Sequence, residues 1–203
     1  MYVGSHAYFL RWDVMPSERV QQELFCALPE SWRQRTDRKQ DPVGKVQSLL
    51  AYSVLRVGLC RQGYRYLPVL TTDSDGKPYF LKTDLHFSIS HTEGAVLVLL
   101  SGRPVGTDVE RLREVPAKLC RRLGIPEENF WQEWTRREAV GKLRGTGVAQ
   151  VLKPQTLQPG EQLCQLYTAG DFVAAAAGRE LQPLRREELS LFSLLTPQKE
   201  ERT

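Results

Sequence analysis

Ala95-Val96-Leu97-Val98-Leu99-Leu100-Ser101-Gly102-Arg103-Pro104-Val105-Gly106-Thr107-Asp108-Val109-Glu110 decides the fold class. An apolar run from Ala95 to Leu100, a turn at Gly102 and a second run from Val105 to Glu110 read as two strands. Upstream, Pro68 to Thr72 and Leu85 to Ser90 read as further strands, separated by a polar turn at Asp73 to Pro78. Downstream the pattern turns helical. Pro116 to Leu123 is a short helix closed by Gly124, and Pro126 opens a longer one to about Leu143, ended by Gly145 and Gly147. Two late strands, Gln162 to Tyr167 and Asp171 to Ala177, meet at a turn of Ala169 and Gly170.

The beginning of the chain follows the same alternation. Ala7 to Val14 suits a strand, and Ser17 caps a helix through Ala27. Asp41 and Pro42 form a cap and first-turn proline for a helix that carries Val46, Leu49, Leu50, Leu55 and Val57 toward Cys60 and stops at Gly63. Each half thus has a strand, helical material and a hairpin, without a residue-level repeat. The expectation is an α+β chain.

Composition excludes several classes. Of 203 residues, 41% are hydrophobic and 26% charged, which is close to the globular average and argues against disorder. The longest apolar runs, Ala95 to Leu100 and Phe172 to Ala177, fall far short of the roughly 20 residues of a membrane span. The sequence from Met1 to Trp12 shows no basic stretch followed by an apolar core, so the expected location is the cytoplasm. Cys26, Cys60, Cys120 and Cys164 are too widely spaced for a zinc knuckle or redox motif and read as reduced thiols. With 28 basic against 24 acidic residues, the net charge of +4 is too small for a nucleic-acid groove, so any anion site must be local. Arg33 to Lys45 is the local candidate, or else a solvated face.

Three constellations carry chemistry. In Val105 to Glu110, alternation sends Asp108 and Glu110 to one face and Val105, Thr107 and Val109 to the other. Two like charges at that spacing repel unless a cation lies between them, and a hard divalent ion is the usual answer. On the longer helix, Trp134, Glu138 and Lys142 are spaced by four and share a face, as a surface ion pair would also do. Phe87-Ser88-Ile89-Ser90-His91-Thr92 ends a strand in hydroxyls and an imidazole, and Asp75-Gly76-Lys77-Pro78 adds an ammonium on a turn; such donors suit phosphate oxygens. A serine-protease arrangement fails, because Ser90 and His91 are adjacent on a strand and point to opposite faces.

Taken in order, Gly76-Lys77-Pro78, Phe87 to Thr92, Val105 to Glu110 and Trp134 to Lys142 resemble the motif series of the phosphopantetheinyl transferases, most closely the monomeric, two-lobed class that activates surfactin synthetase. The resemblance is clear from about Gly76 to Lys142. It implies two similar α+β lobes in a pseudo-twofold arrangement, residues 1–103 and 104–203, with the active site in the cleft between them. It also implies transfer of the 4′-phosphopantetheine arm from coenzyme A to a serine of an apo acyl or peptidyl carrier protein, releasing adenosine 3′,5′-bisphosphate. Neither nucleic acid nor membrane is an expected partner.

Carried over residue by residue, Asp108, Glu110 and Glu138 would hold magnesium, with manganese as the alternative, and Lys142 would balance charge on the phosphate under attack. Glu138 would take the carrier serine's proton, directly or through a water on the ion. Gly76, Lys77 and Pro78 would lie along the nucleotide, Ser90 and His91 would contact phosphates, and Arg35 and Lys45 would hold the 3′-phosphate. Electrostatics independently calls for the ion. At about 5 Å and an effective dielectric near 20, each carboxylate–phosphate pair costs roughly 3 kcal/mol.

The chain departs from the family pattern at Ser88, often asparagine, Thr107, usually isoleucine or valine, and Arg137, normally lysine. Glu110 and Glu138 are 28 positions apart, a shorter interval than in well-known members, and this bears on carrier docking. Two other classes fit less well. A metal-dependent phosphodiester hydrolase or nuclease leaves Gly76-Lys77-Pro78 and Ser90-His91 without a role. A catalytically inactive carrier-binding module has no use for clustered carboxylates.

Overall fold

A computed structural model describes residues 4–74, 76–146, 151–167, 170–181 and 183–196. Asp75, Gly147 and Ala169, which the sequence assigns to turns, lie outside the described residues. The elements run β1 (Ser5–Arg11), α1 (Glu18–Cys26), α2 (Glu30–Thr36), α3 (Pro42–Arg61), β2 (Leu70–Thr72), β3 (Pro78–Phe80), β4 (His86–Thr92), β5 (Ala95–Ser101) and β6 (Val105–Arg111). They continue with α4 (Ala117–Leu123), a 3-10 turn (Glu127–Asn129), α5 (Phe130–Arg144), β7 (Glu161–Tyr167), β8 (Phe172–Arg179), β9 (Leu184–Leu189) and α6 (Leu191–Leu195). The class is mixed α and β, as expected.

Local signals set most boundaries. Ser17 accepts from the Val20 N–H to start α1, and Asp41 accepts from the Gly44 N–H at 2.6 Å to start α3, with Pro42 in its first turn. The Pro126 start differs: the chain first makes the 3-10 turn, and α5 begins only at Phe130. Gly145 ends α5 with φ +69°, a left-handed cap that glycine adopts without steric cost.

Among the described residues the strands form sheets ordered β4-β5-β1-β9, β2-β3 and β6-β8-β7. The first and third pack face to face. Val96, Val98 and Leu100 of β5 meet α3 and its neighbours, while Ala95, Leu97 and Leu99 meet Val105, Val109, Ala174 and Ala176 of the other sheet. On the far side, Ala175 and Ala177 of β8 pack against Ala139 and Val140 of α5. The layers therefore run helices, sheet, sheet, helix, and residues 95–100 of β5 and 172–177 of β8 are all apolar because both faces of these strands are covered.

Two elements at the end of the chain had no clear signal in the sequence. β9 pairs in parallel with β1, Arg11 and Arg61 form ion pairs with Glu188 and Glu187, and buried Arg56 donates to the carbonyl of Leu194 in α6. The last strand and helix thus complete the first sheet and its core. All four cysteines are free thiols. No helix among the described residues is long and apolar enough to cross a membrane.

Candidate active site

Gly106 brings the site together. It stands on the Asp108 and Glu110 side of β6, which faces α5, and a Cβ there would collide with the backbone oxygen of Ala139 and the backbone nitrogen of Leu143. Only a residue without a side chain lets α5 lie directly on β6. That contact sets Glu138 and Lys142, the neighbours of Ala139 and Leu143 on α5, beside the carboxylates of the strand.

Lys142 crosses to β6 rather than pairing along its helix. Its Nζ lies 2.7 Å from Asp108 Oδ1 and 3.0 Å from Ser90 Oγ, while Ser90 Oγ donates to the same Oδ1 at 2.7 Å. Asp108 is buried, at 4% exposure, and its Oδ2 has no hydrogen-bond partner. Trp134 stacks on Phe130 within a small cluster of α4 and α5.

Glu110 and Glu138 both sense Asp108. Burial first, then the Asp108 charge, pushes the Glu110 carboxyl above the usual range, against opposing pulls from Arg113 and Thr92. Burial and Asp108 likewise raise Glu138, offset in part by Lys142. Glu110 is tethered by long contacts of 3.4 Å from Thr92 Oγ1 and Arg113 Nη1, and Arg113 itself lies over the ring of Trp131. Among the described residues, no three His, Cys, Asp or Glu side chains form a ready-made ion cage. The chemistry of the donors nevertheless fits a hard cation: all are oxygens, one is a buried oxygen without a partner, and two are carboxylates whose charge their neighbours oppose.

A cleft of about 580 Å³ adjoins this cluster, within the range of small-molecule sites. Gly76, Lys77 and Pro78 line one side, Phe87, Ser88 and Ile89 of β4 another, and Gly141, Lys142, Gly145 and Thr146 of α5 the third. Lys77 Nζ donates to the Lys142 carbonyl at 2.6 Å, satisfying a last-turn carbonyl of α5 and tying the turn to that helix. Burial lowers the Lys77 pKa, with Asp73 opposing. His91 is held toward its neutral form, first by burial and then by Lys39 and Lys142.

Sequence positions thus come together unevenly. Asp108, Glu110, Glu138, Lys142, Ser90 and His91 are electrostatically or directly linked, and Gly76, Lys77 and Pro78 share the cleft with Lys142. Arg35 is engaged with Tyr52 Oη at 2.8 Å, and Lys45 is exposed in the first turn of α3. Lys39, from the same basic stretch, acts on His91 together with Lys142, and sequence reasoning did not single it out.

The departures from the family pattern have local roles. Ser88 Oγ accepts from the Thr107 N–H at 3.0 Å, and Thr107 Oγ1 donates to the Ala175 carbonyl at 2.8 Å, so the two hydroxyls join β4, β6 and β8. Arg137 is buried and pairs with Glu133 at 2.8 Å.

Known proteins agree with the motif resemblance. The chain is 32% identical to the 4'-phosphopantetheinyl transferase gsp of Aneurinibacillus migulanus over 87 residues, 36% of each chain. It is 32% identical to the 4'-phosphopantetheinyl transferase AcpT of Salmonella typhi over 125 residues, 50% of this chain and 64% of that protein. It is 26% identical to a 4'-phosphopantetheinyl transferase of Bacillus subtilis over 89 residues, 36% of this chain and 40% of the relative. These matches span from about a third to just under two thirds of the relatives' lengths. No family model matches the chain. The protein is similar to the phosphopantetheinyl transferases, and several curated relatives bear that name.

Proposed function

We propose that this chain transfers the 4′-phosphopantetheine arm of coenzyme A to a serine of an apo acyl or peptidyl carrier protein, acting as a monomer in the cytoplasm. The observation that carries this reading is the pairing of buried Asp108 with Lys142, between Glu110 and Glu138 and beside the cleft that holds Lys77. Residues 1–103 and 104–203 are proposed as two α+β lobes with that cleft between them, the second lending β9 and α6 to the sheet and core of the first.

Asp108, Glu110 and Glu138 would hold magnesium or manganese, which when bound supplies positive charge to the diphosphate. The remaining work falls to the chain. Lys77, with Gly76 and Pro78, lies along the nucleotide, and His91 stands beside the phosphates. Arg35 and Lys45, joined by Lys39, supply the charge for the 3′-phosphate. Glu138 accepts the proton of the attacking serine. A new phosphorus–oxygen bond forms to the serine, the diphosphate bond breaks, and adenosine 3′,5′-bisphosphate leaves. Lys142 balances the charge that builds on the phosphate under attack.

The test is incubation of the purified chain with coenzyme A, magnesium and a panel of apo carrier proteins, read by mass spectrometry. The expected result is a gain of one phosphopantetheine group on the carrier, abolished by a chelator. No gain on any carrier, together with metal-dependent cutting of DNA or RNA, would replace this reading with the hydrolase.

A further inference from the structure

We infer that Ser90 is a positioning residue that divides the two oxygens of Asp108, keeping Oδ1 for the protein and Oδ2 for a divalent cation. The inference rests on the metal-dependent transfer proposed above. A serine hydroxyl has one hydrogen to give and lone pairs to receive. Ser90 gives its hydrogen to Asp108 Oδ1 at 2.7 Å and receives one from Lys142 Nζ at 3.0 Å, while Lys142 Nζ reaches the same Oδ1 at 2.7 Å. The three groups close a ring around one carboxylate oxygen.

The other oxygen, Oδ2, is buried and receives nothing. An unpartnered buried carboxylate oxygen is costly, so the arrangement makes sense where an exogenous cation completes it. Position on the chain supports this division. Ser88 and Ser90 alternate with Phe87 and Ile89 on β4; the phenylalanine and isoleucine enter the core around α3, while the two hydroxyls bridge to β6. Ser88 fixes the backbone of β6 at Thr107, and Ser90 fixes the side chain of the next residue, Asp108. The Ser90 hydrogen is then committed to a carboxylate and is not available to a phosphate oxygen, which can only accept.

The test separates the two duties by measuring each ligand alone on the full chain. Manganese binding without coenzyme A is followed by electron paramagnetic resonance, and coenzyme A binding in chelator is followed by calorimetry. Ser90→Ala is expected to weaken manganese about 10-fold, the usual loss when an outer-shell partner of a ligand is removed, and to leave coenzyme A affinity in chelator unchanged. Ser90→Thr, which keeps the hydroxyl, is expected to restore manganese affinity. Ser90→Cys, nearly isosteric with a weaker donor, is expected to fall between, and it keeps the test decisive if the alanine variant does not fold. Unchanged manganese affinity in Ser90→Ala with weakened coenzyme A binding would overturn the inference and return the hydroxyl to the phosphates. Failure of the unsubstituted chain to bind manganese would instead overturn the metal assignment itself.

Discussion

Replacing Gly106 by alanine tests whether direct contact between α5 and β6 builds the site. The added Cβ meets the Ala139 oxygen and the Leu143 nitrogen, with Leu143 Cα at 3.0 Å. All three are backbone atoms, so no rotamer relieves the clash, and α5 must retreat by about 1 Å or more to regain ordinary contact. Overpacking of this kind costs about 1–3 kcal/mol. For a chain of this size that lowers Tm by about 3–10 °C. Activity should suffer more than stability. Glu138 and Lys142 flank the clashing residues, and a misplacement of about 1 Å can cost roughly 100-fold in rate. The assay pairs thermal unfolding with carrier modification at a temperature where the variant is fully folded. A Gly106→Ala protein with unchanged Tm and unchanged turnover would refute the reasoning, since it would show that α5 does not need the space.

Three further predictions follow from the surrounding charges. Asp108→Ala should abolish transfer while costing about 1–3 kcal/mol in denaturant unfolding, less than a fully buried pair because the Lys142 side chain is 31% exposed and can turn to water; turnover near the normal rate would remove Asp108 from the site. Glu110→Gln should raise the Tm of the metal-free chain at pH 8 but not at pH 4. The Glu110 pKa is raised, so its stabilising contribution is present below the unfolded value and lost as pH rises through the folded one; a variant no more stable at pH 8 would contradict that sign. Arg144→Ala should destabilise by about 1–3 kcal/mol, because it removes the guanidinium from Glu161, whose side chain is 3% exposed and whose carboxyl Arg144 holds below the usual range, and leaves that carboxylate the Gln158 N–H at 2.8 Å. In the unsubstituted chain this contribution is present above the unfolded pKa of Glu161 and lost as pH falls through the lowered one, and an unchanged acid limb in the variant would argue against the pairing.

Residues that interact with near neighbours were legible in the sequence. Ser17, Asp41, Pro42 and Gly145 mark helix ends because a cap is a local bond or a local φ. The Val105 to Glu110 alternation and the four-residue spacing of Glu138 and Lys142 likewise follow from the geometry of a single element. What escaped depends on distant partners. Leu184–Leu189 reads as Leu-Arg-Arg-Glu-Glu-Leu, a polar segment whose strand character comes from parallel pairing with β1 at the other end of the chain and from ion pairs to Arg11 and Arg61. Pro78–Phe80 is three residues long, too short to show a period.

The site divides along the same line. Periodicity places Lys142 and Glu138 on one helical face, but whether Lys142 pairs with Glu138 or crosses to Asp108 is fixed by the approach of α5 to β6, which depends on Gly106. The commitment of the Ser90 hydroxyl to Asp108 depends on the meeting of two sheet edges that no spacing encodes. Lys39 could have been found only as one cation among several in a basic stretch, since its relation to His91 is spatial.

The most direct measurement is the anomalous scattering of manganese in crystals grown with coenzyme A. A single peak is expected, bound by Asp108 Oδ2 with the carboxylates of Glu110 and Glu138 at about 2.1 Å, the distance of a hard octahedral cation, and touching the diphosphate. An ordered diphosphate with no peak at those three carboxylates would contradict the account.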